Sequence, residues 1–500
     1  MSALCARSVL DRGSSIDGTV LVLSDSQCRQ LQAVEQGDVF PLSGGQFHQM
    51  ADLIESRQIE LSRYKFVIIS GGVNSASKPR SSWKSTWVPL RNILRALRDE
   101  PHGPVILLSL PFPNTSVPEK GHKLSQLLGM DVYLKKDFLQ LTGSSKERGC
   151  RNVLLSLSQK QRETGVITAS AGNLALALSH HGEELGVPVT CVVPTVTPLM
   201  KVQECKRQGA RVFVHGNDFS EAKIKAMQIA KEQGLMYING HDNADVIAGE
   251  GTLGLEVVEE VPDLDAIVIP VGGGGLIAGC ALAIKYLLPN VQVIGVESKS
   301  CDSFSKSYEK GVPVYCQPGD TLADALCIPL AGCNSLATAK GQIDKMVQVS
   351  EEYIALAILR LIECEKAVVE GAGAVALAGL LAGLLPELKG KKVVVPICGG
   401  NIDTTVLGRC LERGLAEDGR LMRFMCTVSD RPGSVAELTR ILAQKGASLK
   451  DIIQERALMN TDIFSVVDRV TIETRDAEHC REIEEAVRER YPDTATKLNF

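Results

Sequence analysis

"AIVIPVGGGGLIAG", residues 266–279, sets a six-residue apolar run directly against four glycines and then a helix-like segment. A buried strand that ends in residues without Cβ atoms lets the backbone approach an anion closely. The N–H groups at the following helix start then point at that anion. Phosphate binding is the natural inference, and two phosphate ligands fit. Gly273, Gly275 and Ala278 satisfy the G-x-G-x-x-A form of the dinucleotide fingerprint, and Glu297, at the end of VQVIGVE, lies about where a ribose-binding acid belongs. Against this, the glycines follow several strand–helix units, whereas that fingerprint usually opens its domain. A glycine turn without a ligand is the structural alternative, at a considerable cost in chain entropy.

The same rhythm extends outward. VITAS (166–170) leads into GNLALALSHHGEELG (172–186), PVTCVVP (188–194) into a helix around TPLMKVQECKRQG (197–209), and RVFVHG (211–216) into SEAKIKAMQIAKEQG (220–234); KKVVVPIC (391–398) comes near the end. Continuous Val/Ile runs alternating with helices imply an α/β fold, its mostly parallel sheet covered on both faces and its ligands at the carboxyl ends of strands. After DGR (418–420) the order becomes β-α-β-β-α-β, the ferredoxin-like arrangement, complete by residue 500. Residues 1 to about 115 form a third α/β block with strands in VLVLSDS (20–26), YKFVIISGG (64–72) and GPVILLSLPFP (103–113). The polar NTSVPEKG (114–121) reads as its linker. Five hundred residues fit two or three such domains.

A net charge of −5, with 44% hydrophobic and 23% charged residues, offers no polyanion-binding surface and argues against nucleic acid and anionic membrane as partners. The start MSALCARSVLDRGSS has no long apolar core, and no later apolar run is long enough to span a membrane, so a cytoplasmic protein is expected. The 15 cysteines are scattered singly, without CxxC or zinc-type spacing, as buried thiols of a reducing compartment would be.

Three further stretches carry candidate chemistry. TGSSKERG (142–149) holds Lys146 among small residues just before a helix-like RNVLLSLSQKQRE (151–163); on those eight residues alone, a solvated lysine is the ordinary reading. ASAGN (169–173) could cradle a carboxylate or a hydroxyl, or could simply cap a helix through Ser170 or Asn173. In PICGGNID (396–403), Cys398 ends a buried strand, where a structural thiol is the default.

Taken in order, SKERG, SAGN, GGGGL and CGGN resemble the fold type II (tryptophan synthase β-like) pyridoxal-phosphate enzymes, most closely the threonine/serine dehydratase branch that also contains serine racemase. The resemblance runs from about 122 to 415 and includes INGHDNADVIAGEGTLGLEV, TLADAL and VVEGAGAVALA; residues 420–500, with SDRPGSVAEL, resemble an ACT-type regulatory module. It implies that Lys146 carries pyridoxal 5'-phosphate as a Schiff base and serves as the α-proton base. It further implies that Gly272, Gly273, Gly274, Gly275 and Leu276 bind the phosphate, Asn173 the ring hydroxyl, and Cys398 the pyridine nitrogen. Ser170, Ala171 and Gly172 would line the substrate carboxylate pocket. The implied reaction is β-elimination of L-threonine or L-serine to a 2-oxo acid and ammonia. Racemisation would need an acid where Ala171 stands. An effector near Gly433 and homo-oligomerisation follow from the ACT likeness.

The chain also departs from that pattern. Ser145 replaces a common Phe, Leu174 a common His, and Ala325 a glycine near the cofactor edge. Glu297 aligns with a cation ligand of some relatives, but its acidic companion is Ser303, with Asp302 adjacent, so a metal stays undetermined. The N-terminal block weakly resembles SGNH-type hydrolases through Ser24, Asp25, Ser26, Gly71, Gly72 and Asn74. Three alternatives to the dehydratase follow: an amino-acid sensor with a weakened site, a serine racemase-like enzyme, and an NAD-dependent oxidoreductase.

Overall fold

The computed structural model describes residues 118–197, 199–456, 463–493 and 495–497, together with four strands of the N-terminal block. Those strands, β1 (Val20–Asp25), β2 (Gly37–Leu42), β3 (Phe66–Ser70) and β4 (Val105–Leu108), form a parallel sheet in the order β2-β1-β3-β4. Three of the four are the strands expected from sequence. The fourth, GDVFPL, escapes because Gly, Asp and Pro interrupt its apolar pattern. Ser24 and Asp25 end β1, whereas Ser26, Gly71, Gly72 and Asn74 lie outside the described residues.

The fold type II region contains two parallel sheets. Strands β5 (Glu119–Lys120), β6 (Asp131–Lys135), β11 (Ala266–Pro270), β12 (Gln292–Ser298), β13 (Lys345–Val349) and β14 (Lys392–Pro396) form a six-stranded sheet in the order β13-β12-β11-β14-β6-β5. Only the edge strand β5 runs antiparallel. Between β6 and β11 in the chain, β7 (Val166–Ala169), β8 (Val189–Val193), β9 (Arg211–Val214) and β10 (Met236–Tyr237) form a second sheet, ordered β10-β7-β8-β9. Period-2 side chains explain the unbroken apolar runs. Ala266 and Val268 of β11, with Val393 and Val395 of β14, face one core; Ile267 and Ile269, with Val394, face the other. Each such Val or Ile contributes about 1.5–3 kcal/mol by its burial.

Five helices position the site: α1 (Lys146–Ser156), α2 (Asn173–Leu185), α3 (Ala244–Glu260), α4 (Gly275–Leu287) and α5 (Gly371–Leu381). Lys146 is itself the first residue of α1, and the helix read over RNVLLSLSQKQRE is two helices. The second, Gln159–Thr164, starts from a capping box in which Ser158 accepts from Gln161 N and Gln161 Oε1 accepts from Ser158 N. That local alternative outcompetes continuation of α1. Helices α1, α3 and α4 pack backbone to backbone through glycines. A Cβ on Gly249 would lie 2.8 Å from Gly149 Cα, and one on Gly279 would lie 2.7 Å from Gly251 N.

The C-terminal region has the ferredoxin-like order expected. Strands β15 (Leu421–Ser429), β16 (Ser448–Glu455), β17 (Ser465–Glu473) and β18 (Ala495–Lys497) form an antiparallel sheet, β16-β17-β15-β18. Helices Ser434–Gln444 and Ala477–Arg490 cover one face, sharing a core with Phe424, Val428 and Val470.

The glycine contacts make opposite predictions at two sites. Gly279→Ala forces backbone apart and should destabilise the fold by about 1–3 kcal/mol. Gly408→Ala, at an exposed position of the helix Thr404–Glu417 with nothing near its Cβ, should stabilise it by roughly 0.5–1 kcal/mol. Calorimetric midpoints of the two variants should therefore move in opposite directions.

Candidate active site

Three distant stretches are stitched together around Lys146. Ser145 N donates to Cys398 O at 2.8 Å, Gly400 N to Gly143 O at 2.9 Å, and Ser144 bridges Gly399. Asn401 Nδ2 donates to both Thr142 O and Asn173 Oδ1, each at 2.8 Å. The Asn173 amide nitrogen in turn donates to Glu370 Oε1 at 2.7 Å. Asn173 therefore does not cap α2: Gly172 occupies that position, Asn173 is the first helical residue, and its side chain is oriented by Glu370 and Asn401. Ser170 Oγ accepts from Gly172 N at 3.2 Å, and the space where a Gly172 Cβ would stand is open. Ser170, Ala171 and Gly172 are all part-exposed at this opening.

The four glycines are buried between β11 and α4. Gly274 is the N-cap, with φ 94°. Gly272 backs onto Leu326 and Gly275 onto the His241 backbone, so a Cβ at either would lie 2.8 Å from its neighbour. The first N–H groups of α4, Leu276 included, have no acceptor within the helix. Burial, and then the charge of Lys146, hold the His241 imidazole down to about 4, so a neutral ring backs onto Gly273 of the glycine turn.

Lys146 Nζ lies 2.8 Å from Glu250 Oε1 on α3, with the Glu250 side chain fully buried and about a quarter of the lysine side chain open. Burial opposes the ammonium, but Glu250 outweighs it and the lysine pKa ends raised. Burial also raises Glu250 against the pull of Lys146, and its Oε2 has no hydrogen-bond partner. Two residues along, Arg148 is clamped by Asp137 (2.7 and 2.9 Å) and Glu256 (2.8 and 2.8 Å), with Lys135 bonded to Glu256 and Glu260.

The remaining sequence candidates divide. Cys398 is half-buried among Asp137, Glu250 and Lys146, and burial holds its thiol neutral, well above its usual range. Leu174 packs beside Gly240. Ala325 sits in a 3-10 turn, Asp324–Leu326, without positive φ, so its backbone does not call for glycine. Glu297, proposed as a ribose ligand, is fully buried and accepts from Phe304 N, Ser305 N and Ser305 Oγ. Its carboxylate holds the helix Ser303–Lys310, which removes the support for the dinucleotide reading. Asp302 pairs with Lys306 at 2.8 Å. Among the described residues, His180, His181 and Glu184 converge as a metal site would, but Arg151 Nη1 already lies 3.0 Å from His181 Nδ1 and 2.6 Å from Glu184 Oε2.

Sequence reading gave no role to Glu250, Glu370, His241 or Asn401. The available signals were Glu250 flanked by two glycines in the α3 sequence, and Asn401 directly after CGG. The donor set suits pyridoxal phosphate: an accessible lysine, a glycine turn at a helix start, an oriented amide with a second N–H to spare and a neutral thiol.

Residues 114–399 match the family described as pyridoxal-phosphate dependent enzyme. The chain is 40% identical to an L-threonine ammonia-lyase of Thermotoga maritima over 361 residues, 72% of this chain and 90% of that protein. Among solved structures, the processed form of threonine deaminase isoform 2 from Solanum lycopersicum superposes with TM-score 0.58 at 35% identity, covering 60% of this chain and 84% of that one. Serine racemase from Dictyostelium discoideum gives 0.54 at 33% identity, covering 58% and 93%.

Glu370 provides a pH test. Burial raises its carboxyl to about 7, against the Asn173 hydrogen bond, whereas an unfolded glutamate titrates near about 4.3. Between those values the folded chain holds the extra proton, so this group's contribution to stability is lost as pH rises from about 4.3 to about 7. The thermal midpoint of the parent, taken relative to Glu370→Gln, should fall across that window; parallel curves would refute the assignment.

Proposed function

The chain belongs to the pyridoxal-phosphate-dependent enzyme family, and from that premise we infer that it is an ammonia-lyase converting L-threonine, and L-serine, to a 2-oxo acid and ammonia. The observation that carries this reading is a part-open Lys146 whose segment is joined by short backbone contacts to the Cys398 segment and, through the Asn401 side chain, to Asn173, in a chain 40% identical to an L-threonine ammonia-lyase. Pyridoxal phosphate, when bound, withdraws electrons from the amino acid's Cα. The residues proposed to hold it are Lys146, the backbone of Gly272–Leu276 at the phosphate, Asn173 at the ring hydroxyl through its second amide hydrogen, and Cys398 at the ring nitrogen.

Each residue's task follows from its surroundings. The free Lys146 amine takes the α-proton, and Glu250 steadies the resulting ammonium. Glu370 and Asn401 prevent the Asn173 amide from turning. The neutral Cys398 thiol places no negative charge beside the ring nitrogen, so carbanion character at Cα is weakly stabilised and expulsion of the β-hydroxyl is favoured over reprotonation. Ser170, Ala171 and Gly172, at the start of α2, offer backbone donors to the substrate carboxylate. Ala171 has no proton to give to the opposite face of Cα, so elimination rather than racemisation is the proposed outcome.

We place the catalytic region at 122–415, an ACT-type module at 420–500 and a separate α/β segment at 1–115. A small effector near Gly433, the positive-φ cap of helix Ser434–Gln444, and homo-oligomerisation are proposed with that module. No described helix is long and apolar enough to cross a membrane. Thirteen free cysteines among the described residues suit a reducing, cytoplasmic setting.

Purified protein supplied with pyridoxal phosphate should release 2-oxo acid from L-threonine and L-serine, and Lys146→Ala should lower that rate by about a thousandfold or more. Equal rates would refute the assignment. Chiral chromatography should detect no D-serine formed from L-serine by the parent, whereas sustained formation would favour the racemase-like alternative.

A further inference from the structure

We propose that Glu250 is a positioning residue for this reaction, a buried carboxylate that keeps the proton on Lys146 Nζ and so sets the pH range over which that nitrogen is charged. The inference rests on Lys146 as the attachment point of the cofactor. Glu250 Oε1 stands 2.8 Å from Nζ, the side chain has no solvent exposure, and Oε2 is buried without a partner. An uncompensated carboxylate in such a place is costly, and a cation in contact is what makes it tolerable. Lys146 is the cation that touches it.

The surrounding groups leave this pair to act on its own. Arg148, the other cation acting on Glu250, has its guanidinium filled by Asp137 and Glu256, and the Asp137 charge opposes its effect at Glu250. Cys150 and Cys398 have thiols raised well above their usual range by burial, and Cys280 gives its S–H to the Glu250 carbonyl at 3.5 Å. His241 is neutral over the working range. Glu147, next in the chain, turns away to Thr142 N and His181. No other negative charge competes for Nζ among these neighbours.

Position along the helices explains why Glu250 reaches the lysine. It lies between Gly249 and Gly251, where α3 meets the α1 and α4 backbones at closest approach, and a carboxylate on a wider helix contact would fall short. With the carboxylate in place, Nζ is a stronger proton acceptor when it takes the α-proton. The same attraction makes Nζ slower to give the proton back, so the interaction raises basicity at the expense of turnover at low pH.

The test uses the full-length holoenzyme. The visible absorbance of lysine-bound pyridoxal phosphate changes as Nζ gives up its proton, and borohydride trapping with peptide mass analysis shows that the bond is to Lys146. Glu250→Gln should lower the midpoint of that spectral titration by about 1–3 pH units. Glu250→Asp, which retains a charge at longer reach, should fall between the two. A midpoint unchanged from the parent in whichever variant folds would overturn the role of Glu250. A parent with no trapped adduct on Lys146 would overturn the attachment, and this inference with it.

Discussion

Much of this architecture depends on one buried guanidinium. Arg148 is fully enclosed and bonded on two sides, to Asp137 in the 3-10 turn after β6 and to Glu256 on α3. A buried charge with one partner removed costs about 3–5 kcal/mol, so both carboxylates must be in place at once. Satisfying them fixes the rotation of α1 about its own axis and its height against α3. Because Lys146 begins the same helix, two residues earlier, its direction is a by-product of that clamp. Lys135, bonded to Glu256 and Glu260 and itself fully buried, extends the network to β6 of the large sheet.

The glycines serve a related purpose. At Gly272 and Gly275 the added Cβ would strike protein backbone or His241, so the absence of side chains is demanded by packing as well as by any anion. Sequence alone could not separate these causes. The same holds for the glycines between α1, α3 and α4, where close helix contact carries a carboxylate to the lysine.

What was legible in the sequence was mainly periodic or ordered. Val/Ile runs located β7, β8, β9, β11, β12 and β14, six of the ten strands in the two parallel sheets, since residues buried on two faces must be apolar throughout. The two-residue β5 and β10 and the mixed sequences of β6 (DVYLK) and β13 (KMVQV) carry no such run. The ferredoxin-like order of the last region was likewise readable, because its strands and helices follow one another with short connections. Among site residues, Lys146, Asn173, Cys398 and the glycine turn were visible as ordered motifs. Glu250 and Glu370 were not, because a lone carboxylate contributes nothing to an apolar period, and their partners lie 104 and 197 residues away. The break after Ser156 was missed because the capping box of Ser158 and Gln161 is a local competition that apolar periodicity does not report. Glu297 misled for the opposite reason: its spacing suited a ribose, while its carboxylate was already committed to two backbone N–H groups.

The position of β14 has a further consequence, for the order of assembly. This strand is the last of the large sheet to leave the ribosome, yet it lies between β11 and β6 rather than at an edge. Until residues 392–396 insert, β6 has no parallel neighbour and the two halves of the sheet cannot join. The segment that follows, Cys398 to Asn401, then supplies the bonds that secure Thr142, Ser145 and Asn173. A nascent chain therefore carries its lysine for some 250 residues of synthesis before any pocket closes around it, and the long-range pairing that closes the pocket is of the kind that folds slowly.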